Sequence, residues 1–579
     1  MPSYILGINS AYHESSAALV ADGHIVAAVE EERLNGVKHG KPLRVDNADA
    51  LPWEAIETCL EQAGITWRDL EGVAYSLDPA LRRRHACLGE EGPPCRFGHP
   101  VGEAYFQESM RRVVDHLPIS DHTSFFYVPH HEAHAWYALG TSTFTKAAIL
   151  VIDGIGEGAT ISLGRGDRRR LHLEQQTLFP ASIGLAWEKV ARYLGMSDYD
   201  ASKVMALAGL AEGTEDADLG DVLVVRDGQL HVDQGVFDLE HPDDYRGLER
   251  RLGRPRNLRR ASAIAAALQA ATERCLLDLG RWLKEQYDLP DLAYGGGVAL
   301  NCRANEALAR SGLFDRIHAG PASHDAGTAL GAAWWAYVRL YDRAVPRQDP
   351  AKILFSGPDL LPETSLGSRT QSGVEIAAEH LLSGGLVPWA VGPCEFGPRA
   401  LGARSLLAPP WRRDVVDLVN ATKGRWEFEP LALSVTAERA EELFDIPPAG
   451  RILTDAMLVT VRPRGGWRER LAHLVHGDGS VRLQVVRREW HPLFHDLLEA
   501  LDQSRGWPLV VNTSLNPRGQ PMAARLPDIQ RRVAALGLDA LVCPLEVYRC
   551  AEGREKSTAP ASSVEEVAEA LVEGGSNGV

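Results

Sequence analysis

The feature that most constrains the fold is a strand–turn–strand unit that occurs twice near the start of the chain. The first copy reads YILGIN, SAALVA and HIVAAVEEER, with an Asp22-Gly23 turn before the third strand. The second reads AAILVIDG, a glycine-containing turn and ATISLGRG. Short apolar strands separated by such turns predict β-meanders. Each copy carries a polar residue at its first turn, Asn9 and Asp153, so the repeat predicts a duplicated α/β domain with a ligand between its halves.

Two domains and a tail are predicted from the distribution of proline, glycine and serine along the chain. Proline, glycine and serine cluster at residues 345–372, a composition typical of a boundary. Before it, ASAIAAALQAATERCLLDLGRWLKEQY has apolar residues at helical spacing and leads into the strand DLAYGGG. We therefore predict an α/β domain at 1–355, a second α/β domain at 370–560 and a tail at 561–579.

Composition and charge narrow the classes of partner. The 579 residues are 45% hydrophobic and 24% charged, the balance of a soluble protein with several domains. We read no membrane span and no signal peptide in the sequence, and the eight cysteines form no C-x-x-C pair, so we expect a cytoplasmic protein. A formal charge of −17 opposes broad contact with nucleic acid. Small molecules are therefore the expected partners, with neither nucleic acid nor membrane.

A metal site is predicted from two histidines and two aspartates. His130 and His134 stand four apart in VPHHEAHAW and would share one face of a helix. Asp153 ends an apolar strand, and Asp325 lies in the small-residue turn PASHDAGTALGAA. Mixed imidazole and carboxylate ligands suit iron, manganese or zinc. The alternatives are a histidine pair satisfied by hydrogen bonds and aspartates that only form turns or caps.

A nucleotide-contacting loop is predicted where the strand DLAYGGG ends. Gly295 and Gly296 would let the backbone approach a phosphate or a ribose, and Asn301 and Asn305 follow on one helical face. Asn9, at the first turn of the first repeat, joins this group of candidate cofactor-binding residues. Glycines that merely form a turn are the alternative.

His13 and Lys38 are the candidate catalytic residues of the first domain. His13 follows the first strand and is followed by small residues, so it could project into a cleft as a general base. Lys38 could reach a phosphate or a carbonyl oxygen. A structural histidine and a lysine on a solvated face are the alternatives.

The second domain carries cationic and amide side chains within glycine-punctuated turns. Fixed guanidinium forks suit phosphate or carboxylate groups, and no Walker motif is present, so a polyphosphate pocket outside the P-loop class is predicted. Its candidate residues are Arg399, Arg404, Lys423, Arg425, Arg482, Asn512, Ser514, Asn516 and Arg518. Surface salt bridges are the alternative for any single arginine.

Seven motifs carry a resemblance to a known family over nearly the whole chain. They are HESSAAL, PHHEAH, VIDGIGEG, GGGVALN, HDAGTALGAA, EFGPRALGARS and NTSLNPRG, in this order. The sequence resembles the O-carbamoyltransferases related to nodulation protein U, cephem carbamoyltransferase and the tobramycin-pathway enzyme. The resemblance implies a first domain like the tRNA threonylcarbamoyl transferases, of actin and sugar-kinase type, and a second of the YrdC type that forms carbamoyl-adenylate.

The resemblance also implies cofactors and roles. Fe(II) would be held by His130, His134, Asp153 and Asp325, and His13 would assist acyl transfer. The cations between Arg399 and Arg518 would hold ATP with Mg(II), and carbamoyl phosphate as co-substrate. The expected product is a carbamate ester on a hydroxyl of a small natural product, with an antibiotic expected from the family. Relatives tend to carry a cation where this chain has Glu429.

Three other functions compete with this one. A tRNA threonylcarbamoyl-type transferase would need a basic surface, which a net charge of −17 disfavours. A non-catalytic actin-like nucleotide switch would leave the histidines without a purpose. A metal hydrolase that releases carbamate would need no arginine-rich pocket. We expect residues 78–115 and Ser182–Gly184 to contact the acceptor, but the sequence does not identify the acceptor molecule. A homodimer is one possible oligomeric state.

Overall fold

The structure is a computed structural model that describes residues 2–44, 46–85, 100–197, 200–211, 217–360, 370–543 and 547–549. The predicted tail at 561–579 lies outside the described residues. In the described part of the chain, no helix combines the length and the apolar character that crossing a membrane requires.

The first repeat forms a five-stranded sheet. Its strands are β1 (Tyr4–Asn9), β2 (Ser16–Ala21), β3 (His24–Glu30), β4 (Leu70–Tyr75) and β5 (Ser124–Tyr127). Their order is β3-β2-β1-β4-β5. The first three strands are antiparallel, as the Asp22-Gly23 turn predicts, while β4 and β5 run parallel to β1. Nearly every residue of β1 and β2 is buried, because both faces of the sheet are covered.

The second repeat forms a sheet with the same plan. Its strands are β6 (Lys146–Ile152), β7 (Ala159–Asp167), β8 (Leu171–Leu178), β11 (Asp291–Gly295) and β12 (Arg316–His318), while β9 (Leu223–Arg226) and β10 (Gln229–Val232) form a separate hairpin. The order β12-β11-β6-β7-β8 and the strand directions repeat those of the first sheet. The predicted duplication of an α/β unit is therefore confirmed.

The rest of the chain builds a mixed nine-stranded sheet in the order β16-β17-β18-β15-β19-β14-β13-β20-β21. Its strands are β13 (Val387–Ala390), β14 (Arg404–Ala408), β15 (Ala432–Thr436), β16 (Phe444–Asp445), β17 (Thr460–Pro463), β18 (Val481–Val486), β19 (Leu509–Ser514), β20 (Ala540–Val542) and β21 (Val547–Arg549). A mixed α/β architecture is thus observed throughout. The domain boundaries and the YrdC-like type of this part stay predictions.

Helices cover the three sheets. They are α1 (Glu32–Asn35), α2 (Trp53–Ala63), α3 (Pro79–His85), α4 (Pro100–His116), α5 (His130–Thr141), α6 (Ile183–Tyr193), α7 (Ala201–Ala208), α8 (Gln234–Phe237), α9 (Arg246–Leu252), α10 (Leu258–Tyr287), α11 (Cys302–Arg310), α12 (Ala326–Tyr341), α13 (Pro350–Leu354), α14 (Thr370–Leu382), α15 (Val415–Lys423), α16 (Ala440–Leu443), α17 (Trp467–Arg470), α18 (Pro492–Arg505) and α19 (Leu526–Ala535). The helix predicted from ASAIAAAL is α10.

Two helices pack between the halves of the duplicated unit and fix the position of the site. Helix α12 contacts β1, β2 and β4 of the first sheet, and α5 contacts β6 and β11 of the second, while α5 and α12 contact each other. Both are buried almost all round, as a helix between two sheets must be. They approach so closely that a Cβ on Gly331 would clash with the Ala133 carbonyl. The N-termini of both helices consequently lie at the junction of the halves.

Candidate active site

The two histidines and two aspartates that the sequence groups together lie together in the structure. The Nε2 atoms of His130 and His134 are 3.1 Å apart. The Oδ1 of Asp325 lies 3.5 Å from the first and 3.4 Å from the second. The Oδ2 of Asp153 lies 3.6 Å and 3.9 Å from them. All four residues are buried, and we call this set the His–Asp cluster.

Local structure orients each member of the His–Asp cluster. The Nδ1 of His130 lies 2.9 Å from the Ser76 carbonyl oxygen, which leaves Nε2 facing the aspartates. At the start of α5, the backbone N–H of His130 donates to the Glu157 carboxylate. Asp153 directly follows β6, and its Oδ1 accepts from the Gly297 N–H at 3.0 Å. Asp325 directly precedes α12. In metal sites, hydrogen bonds of this kind orient the ligating side chains and fix the tautomer of a histidine ligand.

Opposite charges stabilise the cluster. Burial alone would lower the pKa of His130, but the Asp325 and Asp153 carboxylates outweigh it and raise that pKa well above its usual value. Burial and the Asp325 carboxylate would raise the pKa of Asp153, but the two imidazoles lower it to about 2. Burial likewise opposes ionisation of Asp325, yet His130 and His134 hold its pKa well below the usual range. Both aspartates are therefore ionised at neutral pH.

The donor set fits a first-row divalent metal ion. Two imidazole nitrogens and two carboxylate oxygens are borderline and hard donors, which suit iron, manganese or zinc. Ligands about 2.1 Å from a common ion lie roughly 3 to 3.5 Å from one another, close to the separations seen here. The residues thus fit the metal that the resemblance implies, although they do not single out Fe(II).

A cavity of about 1350 Å³ opens beside the His–Asp cluster. Asp153 and Asp325 form part of its wall, and so do the candidate catalytic residues His13 and Lys38. The same wall includes candidate cofactor-binding residues of the first and second predicted domains: Asn301, Arg399, Lys423, Arg425, Arg482, Asn512, Ser514, Asn516 and Arg518. One space therefore joins the two groups of residues that the sequence predicts to act in separate steps.

Cations line the part of this cavity formed by the second predicted domain. We call Arg399, Arg425, Arg482 and Lys423 the cationic cluster. Burial, together with the neighbouring Arg482, lowers the pKa of Arg399 to about 9. Arg399 and Arg482 are half-buried, their Nε atoms have no hydrogen-bond partner among the described residues, and no described carboxylate lies within 4.0 Å of either side chain. Such cations suit a polyanion.

Two members of the cationic cluster are held by neighbours. The Arg425 Nε lies 2.9 Å from the Glu429 carboxylate, so this acidic residue neutralises one arginine. The Lys423 ammonium donates to the Ser514 carbonyl and hydroxyl and to the Asn516 side chain. Burial, followed by the nearby Arg425, holds the pKa of Lys423 well below its usual value.

Five other predicted cofactor-binding residues lie outside the cavity wall: Asn9, Gly295, Gly296, Asn305 and Arg404. The Asn305 amide donates to the Ala299 and Leu458 carbonyls. The buried Arg404 guanidinium donates to five carbonyls, including that of Val391. A Cβ on Gly296 would clash with the Ile152 carbonyl, so this glycine permits close strand packing. These positions have structural contacts, and ligand binding by them stays a prediction.

Asn9 supports the loop that carries His13. Its amide donates to the carbonyls of His13, at 3.1 Å, and Glu14, at 3.0 Å, and its oxygen accepts from the Ser76 hydroxyl. Two predicted residues on the cavity wall also bond within the protein. The side chain of Asn301 pairs with Gln269 and caps α11. The ammonium of Lys38 lies 3.2 Å from the Glu32 carboxylate.

Sequence reasoning missed three residues that the structure places beside His13 on the cavity wall. These are Glu14, His39 and His324. Glu14 and His324 lie within the HESSAAL and HDAGTALGAA motifs, and His39 follows Lys38, so the motifs contained the signal. What the sequence could not supply is the contact between Glu14 and His39, which are 25 positions apart.

Two family models match most of the chain. Residues 4–334 match the carbamoyltransferase N-terminus family and residues 378–549 match the carbamoyltransferase C-terminus family. The chain therefore belongs to the carbamoyltransferase family and is a carbamoyltransferase enzyme. The gap between the two matches, residues 335–377, contains the region 345–372 where the sequence predicts a domain boundary; that boundary stays a prediction.

Named relatives lie among the nodulation proteins. The chain is 32% identical to nodulation protein NolNO of Sinorhizobium fredii over 92% of this chain and 78% of that protein. It is 27% identical to nodulation protein U of Bradyrhizobium diazoefficiens over 88% of this chain and 91% of that protein. Among solved structures, component A of (R)-2-hydroxyglutaryl-CoA dehydratase from Acidaminococcus fermentans covers 58% of this chain and 98% of its own, with 14% identity and a TM-score of 0.32, too low to assign a fold.

Proposed function

We propose that this enzyme is an ATP-dependent O-carbamoyltransferase that forms carbamoyl-adenylate and passes the carbamoyl group to a hydroxyl of a small natural product. One observation carries the proposal: a single cavity is lined both by the two aspartates of the His–Asp cluster and by the cationic cluster. Two reactions with an unstable intermediate between them need such an arrangement, because an adenylate that leaves the protein is lost to water.

Adenylate formation belongs to the cationic cluster. Water hydrolyses carbamoyl phosphate to carbamate and phosphate. A carbamate oxygen then attacks the α-phosphate of ATP, supplied with Mg(II), and pyrophosphate leaves. Negative charge builds on phosphate oxygens in this step. Arg399 and Arg482, which are half-buried and have no carboxylate partner in the described part of the chain, would stabilise that charge without reorganisation.

Transfer belongs to the His–Asp cluster and its surroundings. An Fe(II) ion held by His130, His134, Asp153 and Asp325 would supply Lewis-acid polarisation at the carbamoyl carbonyl. His13, on the cavity wall, takes the proton of the acceptor hydroxyl, whose oxygen bonds to the carbamoyl carbon. AMP leaves with the electron pair of the broken C–O bond. Lys38, close by on the same wall, would pair with the phosphate of AMP.

The acceptor is proposed to be a hydroxylated natural product of the antibiotic kind, made in the cytoplasm. The cavity leaves room for such a molecule beside the nucleotide, since its wall also includes Gly184 and neighbouring residues of α6. Gly184 lies so close to Gly154 that a Cβ on Gly184 would be 2.7 Å from the Cα of Gly154. This region is the one where the sequence predicts acceptor contacts.

Carbamoyl-phosphate-dependent ATP–pyrophosphate exchange tests the adenylation step, and AMP formation tests transfer. Both should require ATP and carbamoyl phosphate together. His130→Ala should lose bound metal and AMP formation while exchange continues, and the exposed His231→Ala should behave like the unaltered protein. Absence of exchange from protein that has bound its metal would reject the adenylate route and favour the nucleotide-switch alternative.

A further inference from the structure

A carboxylate–imidazole pair lies beside His13 on the cavity wall. The Oε1 of Glu14 is 2.6 Å from the Nδ1 of His39, and the two side chains are 12% and 11% exposed. The rings of His13 and His39 meet edge to face with their centroids 6.3 Å apart. The pair therefore contacts the residue proposed to take the proton, and neither member belongs to the His–Asp cluster or to the cationic cluster.

Backbone contacts hold the two partners of the pair in position. Glu14 lies in the loop between β1 and β2, and its carbonyl accepts from Asn9 at 3.0 Å. His39 lies in the loop after α1, its N–H donates to Glu32 at 2.8 Å, and its carbonyl accepts from the Ser15 N–H at 3.3 Å. Two loops far apart in sequence are thus tied together at this point.

Both residues adopt a backbone conformation that their side chains disfavour. Glu14 has φ 54° and His39 has φ 64°. The left-handed region is disfavoured for a non-glycine residue, and such residues concentrate at functional sites. The contacts with Asn9, Ser15 and Glu32 offset this cost and present the pair to the cavity.

The charged surroundings keep Glu14 ionised. Burial would raise the pKa of Glu14, but His324, His39 and His13 outweigh it and lower that pKa. The other charged groups around the pair are Glu30, which lies near His324, and Glu32, which pairs with Lys38. An ionised Glu14 accepts the Nδ1–H of His39 and faces His13 with a negative charge.

We propose that Glu14 and His39 are positioning residues for the transfer step, in which they orient the His13 imidazole and stabilise the imidazolium that forms on it. This inference rests on the proposed function. When the acceptor O–H bond breaks, the proton and its charge pass to His13, and the C–O bond to AMP breaks as the new C–O bond forms. A carboxylate close to the developing imidazolium lowers the energy of that state, as in hydrolase triads.

Two nucleophiles separate this role from a structural one. Water must lose a proton to attack the carbamoyl carbon, so it needs the oriented base. Hydroxylamine attacks as a neutral amine, forms the C–N bond of hydroxyurea as AMP leaves, and loses its proton to solvent afterwards. Damage to the base therefore slows the reaction with water far more than the reaction with hydroxylamine.

The variants Glu14→Gln and His39→Asn test the proposal. Glutamine keeps the size of Glu14 and removes its charge, and asparagine tolerates the left-handed backbone of residue 39. AMP formation with water as acceptor should fall about 10-fold to 100-fold, below the loss expected for the base itself. Hydroxyurea formation, corrected for reactions without ATP, and ATP–pyrophosphate exchange should stay within about twofold of the unaltered protein. The exposed His231→Asn is the matched control.

The outcomes distinguish the two proposals. Unaltered water-dependent AMP formation in both variants would overturn the positioning role, and so would equal losses with water and hydroxylamine, which indicate a structural defect. A wild-type protein without carbamoyl-phosphate-dependent exchange would reject the proposed function itself, and this inference with it.

Discussion

The two clusters on the cavity wall differ in how their charges are balanced. In the His–Asp cluster, two carboxylates face two imidazoles at 3.4 to 3.9 Å. In the cationic cluster, Arg399 and Arg482 lie half-buried near each other with no carboxylate partner in the described part of the chain. The first cluster is a complete ligand set for a cation, whereas the second becomes electrically satisfied only when a polyanion enters.

This difference has an energetic meaning. A cation that loses hydration without gaining an anionic partner is destabilising, so the cationic cluster opposes folding. The protein tolerates that cost because a bound polyphosphate would recover it as binding energy. Burial of charge also has a cost in the His–Asp cluster, but the attraction between its carboxylates and imidazoles offsets part of that cost. Substitutions in the two clusters should therefore have opposite effects on stability as well as separate effects on activity.

The largest effect is expected from Asp325→Asn. The amide removes one anionic donor of the proposed metal and the charge that holds His130 and His134. Transfer, measured as AMP formation, should fall at least about 10³-fold, the equivalent of several kcal/mol of lost electrostatic stabilisation. Metal content by mass spectrometry should fall in parallel, while ATP–pyrophosphate exchange persists.

Asp349→Asn is the control for Asp325→Asn. Asp349 also precedes a helix, caps α13 through the Ala351 N–H at 2.9 Å and is exposed. Its substitution should change neither metal content nor AMP formation. Full metal content in Asp325→Asn would contradict the assignment of this carboxylate to the metal.

A smaller loss of activity, with a gain in stability, is expected from Arg399→Leu. Removing one of two neighbouring half-buried cations should lower ATP–pyrophosphate exchange about 10²-fold, as for the loss of one preorganised donor. It should also stabilise the ligand-free protein by about 1 to 2 kcal/mol, because the repulsion with Arg482 disappears. Thermal unfolding measures the second effect, and metal content should not change.

Arg404→Leu provides the contrast to Arg399→Leu. Arg404 is buried, and its guanidinium bonds to five carbonyl oxygens. The substitution would leave those acceptors without donors and should destabilise the protein by about 3 kcal/mol. Stability changes of the same sign in the two variants would contradict the distinction between a ligand-binding and a structural arginine.

Inorganic pyrophosphate should stabilise the unaltered protein through the cationic cluster. At about 100 times its dissociation constant, a ligand that binds only the folded state adds about 2.7 kcal/mol. The thermal midpoint should rise with pyrophosphate in the wild type and in Asp325→Asn, and should rise less in Arg399→Leu. An equal shift in all three proteins would place anion binding elsewhere.

The sequence predicts the His–Asp cluster better than the cationic cluster. His130 and His134 share a helix face by their spacing alone, and Asp153 and Asp325 each border a recognisable strand or helix. The duplicated α/β unit brings these positions to one junction, so local patterns and topology together suffice. The four side chains accordingly lie where the motifs predict them.

Arg399 and Arg404 show why the second cluster is harder to predict. They stand five positions apart in EFGPRALGARS, each two positions after a glycine. One lines the cavity, whereas the other is surrounded by carbonyls from residues 358, 391, 392, 403 and 524. Only the three-dimensional surroundings decide whether the donors of a guanidinium are bonded to the protein itself or can bind a ligand. The same holds for the amides of Asn9, Asn301 and Asn305, which are hydrogen-bonded within the protein.

Asp455 sharpens the comparison, because it is a buried carboxyl that lacks the paired imidazoles of the His–Asp cluster. It lies in the 3₁₀ helix Pro448–Ala456, and its Oδ1 is 3.3 Å from the Arg487 Nε. Burial raises the pKa of Asp455 to about 7, although Arg487 opposes the rise. In the unfolded chain an aspartate has a pKa of about 4, so the folded state binds the proton more tightly.

The sign of the pH dependence follows from that difference. Where the folded state holds more protons, stability falls as pH rises, here between about pH 4 and pH 7. Asp455→Asn cannot ionise and should therefore gain stability relative to the wild type, by on the order of 2 kcal/mol between pH 5 and pH 7. Urea unfolding midpoints at both pH values measure this gain. A pH-independent difference would mean that Arg487 keeps Asp455 ionised as the histidines keep Asp153 ionised, so that neighbours rather than burial would set the charge at both places.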